Sequence, residues 1–304
     1  MSGLIEQAAQ RLEQLRQAGV LMPELQAAAG GSGSNAFAPL GASPSHSPHS
    51  PTSRPAPAVH SRRIELDLVA LGASNIVTPN APRSQVAEQF RLIKRPLITN
   101  AMGKGTDRPL HANLIMVTSA VAGEGKSFTS VNLAMSIAAE LDNTVMLVDA
   151  DVARPSLPRM LGVPEGPGLL DLLDGTTEMS DALLKTNIDK LTLLRSGTPH
   201  ARATEMLASD AMRHLLDDMS RRYPDRIIIF DSPPLLLTTE SRALAMNMGQ
   251  IVVVVQAGKT LQADVLHAVS TIEACPLKMM LLNQTRVDSQ EAYGYGYGYG
   301  YGYG

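Results

Sequence analysis

The chain has 304 residues, 44 % of them hydrophobic and only 4 % aromatic, with no Trp and a net charge of −3. This length and apolar content support a sizeable core in one large or two small domains, and the near-neutral balance gives no basis for non-specific nucleic-acid binding. The single cysteine, Cys275, excludes an internal disulfide and fits a reducing compartment, while no apolar run reaches the roughly 18 residues of a membrane-spanning helix.

Residues 1–29 open with an amphipathic pattern. Leu4, Ala8, Leu12 and Leu15 recur at helical spacing, and Gly19 marks the end of the predicted helix. Its charges (Glu6, Arg11, Glu13, Arg16) cancel, so a partner helix suits it better than an anionic lipid surface; packing against its own domain is an equal alternative. The early acids and the lack of a long apolar stretch do not read as a signal peptide. Residues 30–62 are rich in Gly, Ser, Pro, Ala and His. Pro39, Pro44, Pro48, Pro51, Pro55 and Pro57 exclude regular structure there, so this segment reads as a linker. Nothing fixes the geometry of its histidines for a metal.

Residues 63–290 carry six apolar runs: Leu114–Val117, Val145–Val148, Leu191–Leu194, Ile227–Phe230, Ile251–Val255 and Met279–Leu282. Helical patterns at Ser127–Glu140, Ser209–Arg222 and Leu261–Ala274 fall between them. Strands alternating with helices predict an α/β fold, a mostly parallel sheet covered on both faces.

The stretch LIMVTSAVAGEGKSFTSVNLA carries the clearest chemistry. A buried strand leads into Ala120–Ser127, whose spacing is that of a phosphate-binding P-loop with Ala120 in place of the usual first Gly. Such a loop turns backbone N–H groups towards phosphate oxygens at a helix N-terminus. Lys126 is placed to reach the β- and γ-phosphates, and the Ser127 hydroxyl to ligate Mg²⁺. Asp149 and Asp231 each end an apolar strand, with Asp151 two residues beyond the first. C-terminal strand ends of a parallel sheet share one edge, so the three carboxylates are expected to converge on the P-loop, where a cation compensates them.

The chain closes with Tyr293, Tyr295, Tyr297, Tyr299, Tyr301 and Tyr303 alternating with Gly in residues 291–304, six of the seven tyrosines in the protein. A phenol is protonated near neutrality. Between Asn283 and Tyr293 an extended chain covers about 35 Å, at ~3.3–3.6 Å per residue, enough to reach a neighbour's site.

These motifs together resemble the bacterial tyrosine kinases (BY-kinases) that control polysaccharide export, in particular the stand-alone autokinases of exosortase-linked loci. Gly123–Ser127, Asp149–Pro155, Asp231–Pro234 and the tyrosine cluster match the family pattern in order. The resemblance implies an ATP-dependent kinase domain over 63–290 that uses ATP and Mg²⁺ and phosphorylates tail tyrosines between subunits. It implies that Ala122, Gly123, Glu124, Gly125, Lys126, Ser127, Phe128 and Arg154 bind nucleotide, that Asp149 orients and deprotonates the phenol, and that Ser127, Asp151 and Asp231 serve Mg²⁺. Asn283 reads adenine on this pattern, with a capping role as the alternative. The family's ring-assembly motif reads Glu88, Arg91, Lys94 here, with Lys at the third position, and is expected on a helix face turned away from the core. Two further departures stand out: Ala153 occupies the usual arginine position, followed by Arg154, and Val121 stands where related switch ATPases carry a second lysine. The implied partners are further copies of the chain, a membrane polysaccharide-copolymerase adaptor that recruits it from the cytoplasm to the inner membrane face, and a tyrosine phosphatase. The competing readings are a switch ATPase and a non-enzymatic tail that recruits partners.

Overall fold

The computed structural model describes residues 62–79, 84–103, 108–222 and 224–285. The predicted N-terminal helix, all but the last residue of the linker and the six tail tyrosines lie outside the described residues.

Eight strands form one sheet: β1 (Arg62–Arg63), β2 (Leu114–Ser119), β3 (Thr144–Asp149), β4 (Leu183–Lys185), β5 (Leu191–Leu194), β6 (Arg226–Asp231), β7 (Gln250–Gln256) and β8 (Leu277–Asn283). Their order is β1-β4-β5-β3-β6-β2-β7-β8, and every pair is parallel except β4 with β5. The helices are α1 (Leu68–Ala73), α2 (Gln85–Met102), α3 (Lys126–Ala138), α4 (Leu157–Leu161), α5 (Leu169–Leu173), α6 (Met179–Ala182), α7 (Ala203–Leu207), α8 (Asp210–Arg222), α9 (Glu240–Ala245) and α10 (Gln262–Ser270).

The central strands are apolar at consecutive positions because both faces are covered. Ile115 and Val117 of β2 and Val145 and Leu147 of β3 enter one core, shared with α2 and α3. Their neighbours Leu114, Met116, Met146 and Val148 enter a second core with α8 and α10 on the opposite face. The Met279–Leu282 run departs from this pattern. β8 is an edge strand of alternating burial, with Met279 and Leu281 packed on the first core and Met280 and Leu282 exposed. The antiparallel β4 and several five- or six-residue helices were not legible in the apolar pattern, being too short to show a period.

Helix α2 corrects one expectation. Its Ncap Ser84 accepts from Ala87 N–H, and its buried stripe is Ala87, Phe90, Lys94, Leu97 and Ala101. Lys94 therefore does not share the outward face of Glu88 and Arg91. At 3.6 residues per turn it lies about 40° from Phe90 and about 120° from Glu88. Its ammonium donates to Ser136 O at 2.6 Å and pairs with Glu140 Oε1 at 2.6 Å, which satisfies the buried charge and carbonyls at the α3 C-terminus. That bond holds the Glu140 carboxyl below its ordinary value. Glu88 and Arg91 do stand outward, about half exposed and paired with each other at 2.5 Å.

Candidate active site

The P-loop joins β2 to α3. Gly123 and Gly125 adopt φ of 87° and 93°, in the left-handed region that side chains avoid. A Cβ on Gly125 would also stand 2.1 Å from Asn283 Nδ2, so this glycine is required twice over. Asn283 Nδ2 donates to Glu124 O at 2.8 Å and Gln284 Nε2 to Gly123 O at 3.4 Å. The Asn283 amide nitrogen thus steadies the loop, a contact distinct from both the adenine-reading and the capping role.

Glu124 is 1 % exposed. Its carboxylate accepts from Val121 N–H at 2.8 Å, from Gln256 N–H at 3.3 Å, and from the Thr260 hydroxyl. Its side chain thus braces the loop against the end of β7, and the backbone N–H, the group that a P-loop offers to phosphate, is not used in these contacts. Phe128 packs its ring edge-on against Phe90, with centroids 6.4 Å apart, which ties the first turn of α3 to α2.

Lys126, Asp149, Asp151 and Asp231 meet at the C-terminal edge of the sheet. Lys126 Nζ lies 3.0 Å from Asp151 Oδ2. Asp231 Oδ1 accepts from the Ser130 hydroxyl at 3.0 Å. Ser156 Oγ stands 2.9 Å from Ser127 Oγ and 3.5 Å from Asp231 Oδ2, linking the P-loop serine to the carboxylate. Ser156 was not singled out in the sequence; its position two residues beyond Arg154 carried no signal by itself. Asp149 Oδ2 accepts from Leu157 N–H at 3.1 Å, while Oδ1 is buried with no hydrogen-bond partner. Arg154 is exposed, and its backbone N–H donates to Asp151 Oδ1 at 3.2 Å.

Asp149 and Asp231 are register partners in β3 and β6. Burial, reinforced by the Asp231 charge, raises the Asp149 carboxyl to about 8. Burial raises Asp231 to about 6, opposed by Lys126 and by the hydroxyls of Ser127 and Ser130. A buried carboxylate oxygen without a donor, beside a second carboxylate and a serine hydroxyl, suits a hard cation and its waters. Among the described residues no three His, Cys, Asp or Glu side chains form a ready-made cage. Mg²⁺ fits here through Ser127 and Asp231, with nucleotide oxygens and water completing its shell.

Residues 111–282 match the family model described as ParA: NUBPL iron-transfer P-loop NTPase. The chain is 30 % identical to tyrosine-protein kinase YwqD of Bacillus subtilis (strain 168) over 222 residues, covering 72 % of this chain and 90 % of that protein. It is 30 % identical over 223 residues to the succinoglycan biosynthesis transport protein ExoP of Rhizobium meliloti (strain 1021), where the match covers 71 % of this chain and only 27 % of the longer relative. Among solved structures, the chimerical protein CapA2B2 aligns over 75 % of this chain and 94 % of its own at 26 % identity, with a TM-score of 0.59. With its P-loop, its converging carboxylates and these relatives, the chain belongs to the bacterial tyrosine-protein kinase family, built on the P-loop NTPase fold.

Proposed function

We propose that this chain is an ATP-dependent tyrosine autokinase that phosphorylates the Tyr293–Tyr303 cluster of a second copy and thereby regulates exopolysaccharide polymerisation and export. The observation that carries the reading is the Asp149 Oδ1 atom. It is buried and partnerless, next to Asp231 and close to the P-loop, in a chain that ends in six tyrosines.

The loop amides and Lys126 hold the β- and γ-phosphates of ATP, releasing Lys126 from its pairing with Asp151. Ser127 and Asp231 would hold Mg²⁺, which would supply charge neutralisation for the phosphate oxygens. Asp149 orients the incoming phenol. The phenol oxygen attacks the γ-phosphorus as the bond to the β–γ bridging oxygen breaks. ADP leaves with that electron pair, and the phenol proton passes to Oδ1 of the ionised Asp149 carboxylate. Such a transfer is chiefly positioning and charge compensation, which a site of fixed hydrogen bonds supplies.

The adaptor reading is supported by the likeness to a tyrosine-protein kinase matched over 90 % of its length and to a polysaccharide transport protein. No helix among the described residues is long and apolar enough to cross a membrane; in this reading a membrane polysaccharide copolymerase recruits the chain. Phosphorylation of six tyrosines adds about −9 to −12 charges, at −1.5 to −2 each. Copies whose tails lie near one another's acidic strand ends then repel, and phosphorylation disperses the assembly that Glu88 and Arg91 support. The phosphatase resets the cycle.

The test is incubation of purified chain with labelled ATP and Mg²⁺, followed by phosphopeptide mapping. Phosphate on residues 293–303, lost in Lys126→Ala, supports the reading; ATP hydrolysis with no phosphotyrosine defeats it and favours the switch ATPase.

A further inference from the structure

Ser156 stands just before α4, where a serine ordinarily caps a helix with its side-chain oxygen. It makes no such bond. Pro158 brings no N–H to the second position of the helix, one of the two groups that an N-cap oxygen serves. The hydroxyl turns the other way and donates to Ser127 Oγ at 2.9 Å. Asp231 Oδ2, 3.5 Å from it, is too distant to compete for the one hydroxyl proton.

The backbone around Ser156 is held on both sides. Two residues before it, Arg154 N–H donates to Asp151 Oδ1 at 3.2 Å; one residue after it, Leu157 N–H donates to Asp149 Oδ2 at 3.1 Å. Pro155 restricts φ between them. The aspartates of the site therefore aim Ser156, while α4 draws nothing from its side chain. Ser127 has one hydroxyl proton and two lone pairs to place. Its hydroxyl bonds Asp231, and the Ser156 proton occupies one lone pair. The second lone pair is left over, in an orientation that two neighbours fix.

Resting on the nucleotide and Mg²⁺ part of the reading above, and not on its acceptor, we infer that Ser156 is a positioning residue for the cation: its hydroxyl sets Ser127 so that the remaining lone pair is presented to Mg²⁺. A serine hydroxyl is a neutral ligand whose rotor turns unless neighbours hold it. Groups that orient a metal ligand through a hydrogen bond contribute about 10–100-fold to metal affinity. Ser156 acts through Ser127 alone in this role. Because the next residue along the chain grips Asp149, one short stretch, 154–157, registers both the cation ligand and the carboxylate that receives the phenol.

Binding of a fluorescent ADP analogue to the full chain, with Mg²⁺ or with EDTA in its place, tests this without turnover. Ser156→Ala is expected to weaken binding in Mg²⁺ about tenfold, the lower end of that range, and to leave Kd in EDTA within about twofold, which also reports an intact fold. Ser156→Thr keeps the hydroxyl and is expected to bind in Mg²⁺ within about threefold of the unsubstituted chain. Electron paramagnetic resonance of Mn²⁺ in place of Mg²⁺ reads the cation directly, and its Kd in the ADP complex should rise about tenfold in Ser156→Ala. In a Ser127→Ala background Ser156→Ala should add nothing, since both act on one ligand. Equal weakening in Mg²⁺ and EDTA, or an additive loss on top of Ser127→Ala, overturns the role. A Mg²⁺-dependent gain that Ser156→Ala leaves intact overturns it alone, whereas no gain from Mg²⁺ in the unsubstituted chain overturns the metal reading and this role with it.

Discussion

Asp149 and Asp231 face each other as register partners at the ends of two adjacent parallel strands, and both carboxyls are raised by the burial they share. A raised carboxyl binds its proton more tightly in the folded state than in the unfolded one. In the metal-free protein the stability tied to these protons is fully present below the ordinary aspartate value of 3.8 and is lost as pH climbs through about 6 for Asp231 and about 8 for Asp149. Thermal unfolding without Mg²⁺ should therefore show Tm falling from pH 5 to 8.5. Asp149→Asn should flatten the upper part of that slope, and a slope unchanged in this variant would remove Asp149 as its source.

Lys126→Ala should abolish tyrosine phosphorylation, by at least about 10²-fold as for the loss of a charge-stabilising donor. The fold should survive, because Lys126 is paired with Asp151 at the site's surface and not packed in either core. Far-UV circular dichroism and phosphotyrosine blotting on the same sample read both halves of this expectation.

Lys94→Ala and Arg91→Ala separate the two faces of α2. Removing Lys94 strands the α3 C-terminus and should cost about 1–3 kcal/mol, the range for a buried acceptor left without its donor. Arg91, half exposed, should cost less than about 0.5 kcal/mol and should instead weaken self-association. Denaturant melts give the first quantity and light scattering the second; equal destabilisation by both would contradict the inward placement of Lys94.

Gly125→Ala should impair nucleotide binding severely, and adding Asn283→Ala should not restore it. The double variant removes the clash with the Asn283 amide, yet the backbone at position 125 still has φ 93°. Titration with a fluorescent nucleotide analogue compares the two. Full recovery in the double variant would mean that the side-chain contact, and not the backbone, sets the requirement.

The P-loop and the three aspartates were legible because their chemistry is local. A strand, a Gly-rich turn and a Lys-Ser pair are contiguous, and Asp149 and Asp231 each follow an apolar run directly. Lys94 was misplaced because spacing by three matched a motif, while spacing by four, from Phe90, sets the buried stripe. Glu124 and Asn283 could not be resolved from sequence for a different reason. Their partners, Gln256, Thr260 and the loop carbonyl, are brought to them only when β7 and β8 join the sheet beside β2. Ser156 depends in the same way on neighbours remote in the chain, Ser127 and Asp231.

The ties from Asn283 and Gln284 to the P-loop carbonyls bear on where this chain can be cut. A truncation ending after Thr285 removes every tail tyrosine and leaves both loop contacts in place. One ending before Asn283, only three residues shorter, also strips the loop of its two side-chain anchors. The two deletions differ little in length but answer different questions, the first about the acceptor and the second about the acceptor and the nucleotide site at once.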